Sequence, residues 1–296
     1  MHHRHQFWEV GGLGTSVYDS GPEDGRPALV LVHGGDPRSL SNALDWSSVW
    51  RPATLGARLV AYDKPGQGLS YSPDMSGSSM SADGLCAHLE ELVDRLAPAP
   101  VVVVGHSRGA LPAIEVARRR PDRVIGLVLV ASNTLAPPSA RTPQDFYPRA
   151  YADPPEHPTV EYVRREPVMN SWSTEHIDRD FIAGRMRAAL HNGWWFHLAQ
   201  RRAVYEETVL PSLRHLRESV LRHVEQHGAP VPVLQLWGQE DVSAPVELAH
   251  ALFARLAAGA HPCSSVVLNR SGHYVYRERP EEFSSAVAAF LASLGT

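Results

Sequence analysis

Val101-Val102-Val103-Val104-Gly105-His106-Ser107-Arg108-Gly109-Ala110 is the stretch on which the fold turns. Four consecutive valines suit a strand covered on both faces. Residues 110–120 carry a helical pattern that Pro121 stops. Between the two stands Gly-x-Ser-x-Gly. A sharp strand-to-helix turn lifts a serine hydroxyl above the sheet edge, and the glycines permit the tight approach. The helix N-terminus behind it favours developing negative charge. Ser107 is the candidate nucleophile. The plainer alternative, a Gly-rich turn with an incidental serine, is weighed against its neighbours.

Working outward, short apolar runs alternate with helical patterns. Strands are expected over 28–33, 57–62, 101–104, 124–130, 232–237 and 266–268, and helices over 81–96, 110–120, 245–256 and 280–294. This is the signature of an α/β fold with a mostly parallel, doubly wound sheet. After Ser132 the texture changes. Pro137, Pro138, Pro143, Pro148, Pro154, Pro155 and Pro158 crowd one stretch, followed by helical, aromatic sequence through Trp172, Phe181, Trp194, Trp195 and Phe196. The expected organisation is a core of residues 1–133 and 230–296, interrupted late by a helical insertion, 134–229.

A serine hydroxyl needs a base, and the base needs an orienting carboxylate. Asp241 stands just past the 232–237 strand, and His273 in the loop after the last strand. Both fall at carboxyl ends of strands, the edge where open α/β sheets bind ligands. Among sixteen histidines, His273 is picked by position alone. Glu240 is a rival acid, with a solvated loop carboxylate as its plainer reading. Val32-His33-Gly34-Gly35-Asp36-Pro37 closes the first strong strand, so the Gly35 and Arg108 N–H groups form the expected oxyanion hole.

Composition excludes other classes. With 28 Lys+Arg against 32 Asp+Glu and no long charge runs, nothing suggests nucleic acid or an anionic membrane as partner. Cys86 and Cys263 are two isolated cysteines, which rules out a disulfide framework. No apolar run approaches membrane-helix length, and the N-terminus Met1-His2-His3-Arg4-His5-Gln6-Phe7-Trp8 lacks a signal-peptide core. Its histidines are assigned no role, and a cytoplasmic location is expected. His223 and His227 have metal-like i, i+4 spacing but no evident third ligand, so neither metal nor cofactor is expected. The expected partners are a small-molecule substrate and, at most, a second copy of the chain as a homodimer.

Together these residues resemble the α/β-hydrolase superfamily over nearly the whole chain. Asp63-Lys64-Pro65-Gly66-Gln67-Gly68-Leu69-Ser70 is similar to a loop common there, and residues 272–283 to its terminal histidine loop and helix. By that resemblance the insertion is a cap over the site, and a serine nucleophile disfavours the aspartate branches, haloalkane dehalogenases and epoxide hydrolases. Within the superfamily the chain looks nearest to the meta-cleavage-product hydrolases, which cleave a carbon–carbon bond in vinylogous 1,5-diketones. His33-Gly34-Gly35-Asp36-Pro37 with Ser41-Asn42 resembles their oxyanion segment, and residues 173–185 resemble the cap segment ending in their substrate-binding arginine. The resemblance implies that Arg185 pairs with a substrate carboxylate or dienolate oxygen, the alternative being a solvated helix charge. Asn42 and Tyr274 are substrate-side candidates by the same resemblance. Trp46, with Trp50, is one by its place just after the oxyanion loop, whereas Trp194, Trp195 and Phe196 are assigned mainly to the cap's own core. The chain departs from the family in three places: His106 replaces an Asn, Asp36-Pro37-Arg38 replaces Gly-Pro-Gly, and Tyr274 replaces a Trp. Ester or lactone hydrolysis on a small aromatic metabolite therefore stays open, as does a non-catalytic receptor.

Overall fold

The computed structural model describes residues 4–21, 27–50, 55–71, 77–137 and 145–295. Pro138 and Pro143 of the Pro-rich stretch, and Met1, His2 and His3, lie outside the described residues.

The described strands are β1 (Arg4–Val10), β2 (Leu13–Asp19), β3 (Ala28–Val32), β4 (Arg58–Tyr62), β5 (Val101–His106), β6 (Val124–Val130), β7 (Val233–Gly238) and β8 (Cys263–Leu268). They form one sheet in the order β1-β2-β4-β3-β5-β6-β7-β8. From β4 to β8 every pairing is parallel, while β1–β2 and β2–β4 are antiparallel. After β4 the chain crosses β3 to reach β5, so the strand order reverses around β3. Such a switch point opens a crevice at the carboxyl ends of the strands.

The main helices are α1 (Ala82–Arg95), α2 (Ala110–Arg119), α3 (Val160–Met169), α4 (Arg179–Leu190), α5 (Leu210–His227), α6 (Val246–Leu256) and α7 (Pro280–Ser293). Strand alternation sends neighbours to opposite faces. Val101 and Val103 join one apolar cluster with residues of α1, α2, α5 and α6. Val102 and Val104 join a second, with residues of α4 and α7. A strand covered on both sides has no polar face, which is why residues 101–104 read as unbroken valine.

One expectation needs correction. The N-terminal histidines do not all lack a role: β1 pairs along the whole of β2, and His5 meets Ser16 Oγ at 3.1 Å and stacks on Tyr18. The expected insertion, 134–229, takes in a helix that packs on the core. Leu213, Leu216, Val220 and Val224 of α5 pack in the same apolar cluster as α1 and α2, so this helix belongs to the core layer. The roof comprises α3, α4 and the segments flanking them. No helix among the described residues is long and apolar enough to cross a membrane.

Candidate active site

Ser107 follows β5 directly with φ 51°, a left-handed backbone that costs a non-glycine residue of order 1–3 kcal/mol. Both flanking glycines are required by space. A Cβ on Gly105 would meet the Ala110 Cα at 2.6 Å, and one on Gly109 would meet the His33 carbonyl oxygen at 2.6 Å. The motif is therefore a strained turn wedged between strand and helix, with both glycines forced by backbone contacts.

Asp241 and His273 are paired. The His273 Nδ1 lies 2.7 Å from Asp241 Oδ2, and both residues are buried. Asp241 Oδ1 accepts from Ser243 N at 2.9 Å and Ala244 N at 2.7 Å, so backbone donors fix the carboxylate. Burial pulls the imidazole pKa down, but the charge and hydrogen bond of Asp241 outweigh it and leave His273 above 6.5. The rival Glu240 does something else: its Oε2 accepts from Ser271 N at 3.0 Å and holds the histidine loop.

His106 is a contributor that the sequence reading noted only as a departure. Its Nε2 is 3.1 Å from the His273 carbonyl oxygen, and its ring centroid 4.6 Å from that of His273. An acceptor carbonyl requires the proton on Nε2, and the Nδ1 then accepts from Tyr276 OH at 3.4 Å. Burial, with His273 next, keeps this imidazole far below 6.5 and neutral. His106 thus braces the backbone of His273.

The loop after β3 is braced as firmly. The His33 Nδ1 reaches the Gly34 carbonyl oxygen at 2.8 Å, while its Nε2 accepts from Lys64 N at 3.0 Å. That carbonyl belongs to the peptide whose N–H is Gly35's, so His33 sets the orientation of the expected oxyanion donor. Gly35 has φ 70°, and a Cβ there would lie 2.0 Å from Ser39 Oγ. Lys64 Nζ donates to the Gly35 carbonyl oxygen at 2.9 Å, and burial brings this ammonium down to about 7.

Above the strand ends lies a cavity of about 800 Å³, lined among others by Ser107, Arg108, Arg38, Arg185, Trp194 and Tyr205. The substrate-side candidates make the following contacts. Asn42 caps a short helical turn: its Oδ1 accepts from Leu44 N at 2.9 Å and its Nδ2 donates to the Leu40 carbonyl oxygen at 3.0 Å. Trp46 is fully buried behind the cavity, stacked on Tyr276 at 4.1 Å. Trp194 and Trp195 line the cavity, where Trp46 and Trp50 had been expected, and Phe196 is exposed. Tyr274 lies behind the lining, with its OH donating to Glu166 Oε2 at 2.6 Å.

Arg185 does border the cavity, and at 1 % exposure it is no solvated helix charge. Its fork, however, is already filled. Nε and Nη2 donate to Asp45 at 3.4 and 3.2 Å, Nη1 to Glu166 Oε2 at 3.1 Å, and Nη2 also to Tyr274 OH at 2.8 Å. Two carboxylates already balance one guanidinium, so a third from a substrate would meet repulsion as well as attraction. Arg185 ties the roof to the turn after the β3 loop and to the residue after His273. Among the described residues no group of three or more His, Cys, Asp or Glu side chains is placed to hold a metal ion.

The sequence pattern described as "Alpha/beta hydrolase family" matches residues 29–286 of this chain. The chain is 24 % identical over 289 residues to a 2-hydroxy-6-oxononadienedioate/2-hydroxy-6-oxononatrienedioate hydrolase of Paraburkholderia phymatum, covering 95 % of this chain and 92 % of that one. It is 26 % identical over 269 residues to haloalkane dehalogenase 2 of Mycobacterium tuberculosis, covering 88 % and 86 %. The structure resembles that of the 2-hydroxy-6-oxo-6-phenylhexa-2,4-dienoate hydrolase from Rhodococcus, with a TM-score of 0.74 at 20 % identity over 98 % of this chain and 99 % of the other. That likeness bears on the fold alone.

Proposed function

The chain belongs to the alpha/beta hydrolase family, and from that membership we propose a serine-dependent hydrolase that cleaves a carbon–carbon bond in a small vinylogous 1,5-diketone. The observations that carry the hydrolytic reading are the strained Ser107 on the wall of a roofed cavity and the buried His273–Asp241 pair that follows the later strands. The carbon–carbon assignment draws on the named relatives that span almost the whole chain. The serine at the elbow sets the chain apart from chemistry that begins with an aspartate nucleophile.

Neutral His273 takes the Ser107 proton as Oγ attacks the keto carbon. The Gly35 and Arg108 N–H groups hold the resulting oxyanion, each donor worth about 2.7–4 kcal/mol in the transition state. Asp241 fixes the tautomer and stabilises the imidazolium. Collapse of the tetrahedral adduct breaks the carbon–carbon bond. For this the dienol must first become the keto form, so that the electron pair leaving with the carbon is delocalised, and the imidazolium returns the proton to that fragment. Water, deprotonated by His273, then releases the acyl group as a carboxylic acid and restores Ser107. The roof of α3 and α4, which we assign as the cap, keeps bulk water from the adduct while this happens.

The test is turnover of 2-hydroxy-6-oxo-6-phenylhexa-2,4-dienoate beside a panel of aryl esters. The expected result is loss of the dienolate absorbance with stoichiometric benzoate and 2-hydroxypenta-2,4-dienoate. Ester turnover with an untouched diketone would overturn the carbon–carbon reading.

A further inference from the structure

The cavity has a second cationic end, and it is built from residues that depart from the family's oxyanion segment. Arg38 stands where the Asp36-Pro37-Arg38 sequence replaces two glycines, and Arg108 follows Ser107 directly. Both line the cavity, and their side chains keep 27 % and 24 % of their surface accessible. They share a single carboxylate: Asp36 pairs with Arg38 at 2.9 Å and with Arg108 at 3.5 Å. Tyr205 lies under both, 3.5 Å below the Arg38 guanidinium and 5.4 Å from that of Arg108. It is presented by a turn of π-helix, Tyr205–Val209, an irregularity that recurs at functional sites.

The contrast with the other end is one of charge balance. At Arg185 two buried carboxylates pair with one guanidinium, and buried Arg277, whose Nη1 donates to the Asp45 carbonyl oxygen at 2.9 Å, adds a second cation beside Asp45, so that end carries no surplus positive charge. At Arg38 and Arg108 two guanidiniums face one carboxylate, and both side chains border the cavity. Burial opposes ionisation of Asp36, but Arg108 and Arg38 outweigh it and hold the group well below the carboxylate range, so the pair keeps its surplus charge of one. Of the three lining carboxylates, buried Glu166 pairs with Arg185, while Asp153 and Glu206 are exposed, where solvent and salt weaken their reach.

We propose that Arg38 and Arg108, stacked over Tyr205, form the anion subsite of the cavity and bind the carboxylate of the substrate, while the Arg185 end receives its uncharged portion. This deepens the proposed function and rests on its placing the substrate in this cavity, with the orientation reversed from the one the resemblance implied. Arg108 then serves twice, its N–H for the oxyanion and its side chain for the carboxylate.

Binding can be read without turnover. Isothermal titration of the whole protein with 4-phenylbutanoate and with its neutral amide, 4-phenylbutanamide, compares anion and isostere in one cavity. The acid is expected to bind about tenfold tighter at low ionic strength, with the advantage shrinking as salt is added. Arg38→Met and Arg108→Met, which keep the backbone N–H groups, are each expected to reduce the acid-to-amide ratio about fivefold or more, and Arg38→Lys to retain most of it. Equal binding of acid and amide by the unmodified protein would overturn the inference, with no need for a folded variant. A preference that survives in both Met variants would also overturn it, by placing the anion beside Arg185. Failure to cleave the diketone would sink the proposed reaction and leave this ratio as measured.

Discussion

Ser107→Ala is expected to lower kcat on any turned-over substrate by about five to six orders of magnitude, and His273→Ala by a similar factor, with the double variant little worse than either. The non-additivity is the informative part. A nucleophile and its base act as one unit, so removing the second costs almost nothing once the first is gone. Asp241→Asn keeps the shape but offers His273 Nδ1 an amide in place of a carboxylate, and a loss of about 10⁴ is expected. A pH profile of kcat/KM adds a second readout. His273 must be neutral to act as base, and its pKa is held above 6.5 against burial by Asp241. Activity should therefore rise with pH along an acid limb lying above 6.5, and Asp241→Asn should move that limb to lower pH. A limb that stays in place in the Asn variant would mean that another group titrates.

Arg185→Met is expected to cost about 3–5 kcal/mol of folding stability, because it strands two buried carboxylates rather than removing a mere contact. For a chain of this length that is a fall in Tm of roughly 5–15 °C. The sign of the pH dependence is fixed as well. Burial raises the Asp45 pKa, and the nearby Arg185 pulls it back. Without the guanidinium the folded-state pKa climbs further above the unfolded value, so the variant is least impaired at acid pH and loses stability as pH rises. Melting curves at pH 5 and pH 8 measure the difference. Adding Glu166→Gln to Arg185→Met should recover part of the loss. If Arg185 were a substrate anchor only, its removal would raise KM and leave Tm within about 1–2 °C of the parent.

What was legible in the sequence follows from how local each cause is. The elbow is written in five consecutive residues because Gly105 and Gly109 are forced by backbone contacts within one turn and its neighbouring strand. Asp241 and His273 could be proposed from the sequence because the fold delivers strand ends to one edge whatever the side chains between them do. The partners of Arg185 were not legible, since the group that fills much of its fork, Asp45, lies 140 residues away in sequence. The contacts of Asn42, Trp46 and Tyr274 were hidden for a related reason. Position along the chain placed them close to the cavity, but which way each side chain turns is set by Leu40, Tyr276 and Glu166. The β1 strand escaped notice because it is a largely exposed edge, so its sequence has no apolar run. The packing of α5 on the core was not legible because α5 continues the helical texture of the roof.

The central claim is that Ser107 is a nucleophile activated by His273. Intact-mass analysis after treatment with a fluorophosphonate probe tests it most directly. The account predicts one adduct per chain, mapped by peptide analysis to Ser107 and absent from the His273→Ala variant. An unlabelled Ser107 in the folded parent protein, or a label that forms equally well without His273, would contradict it.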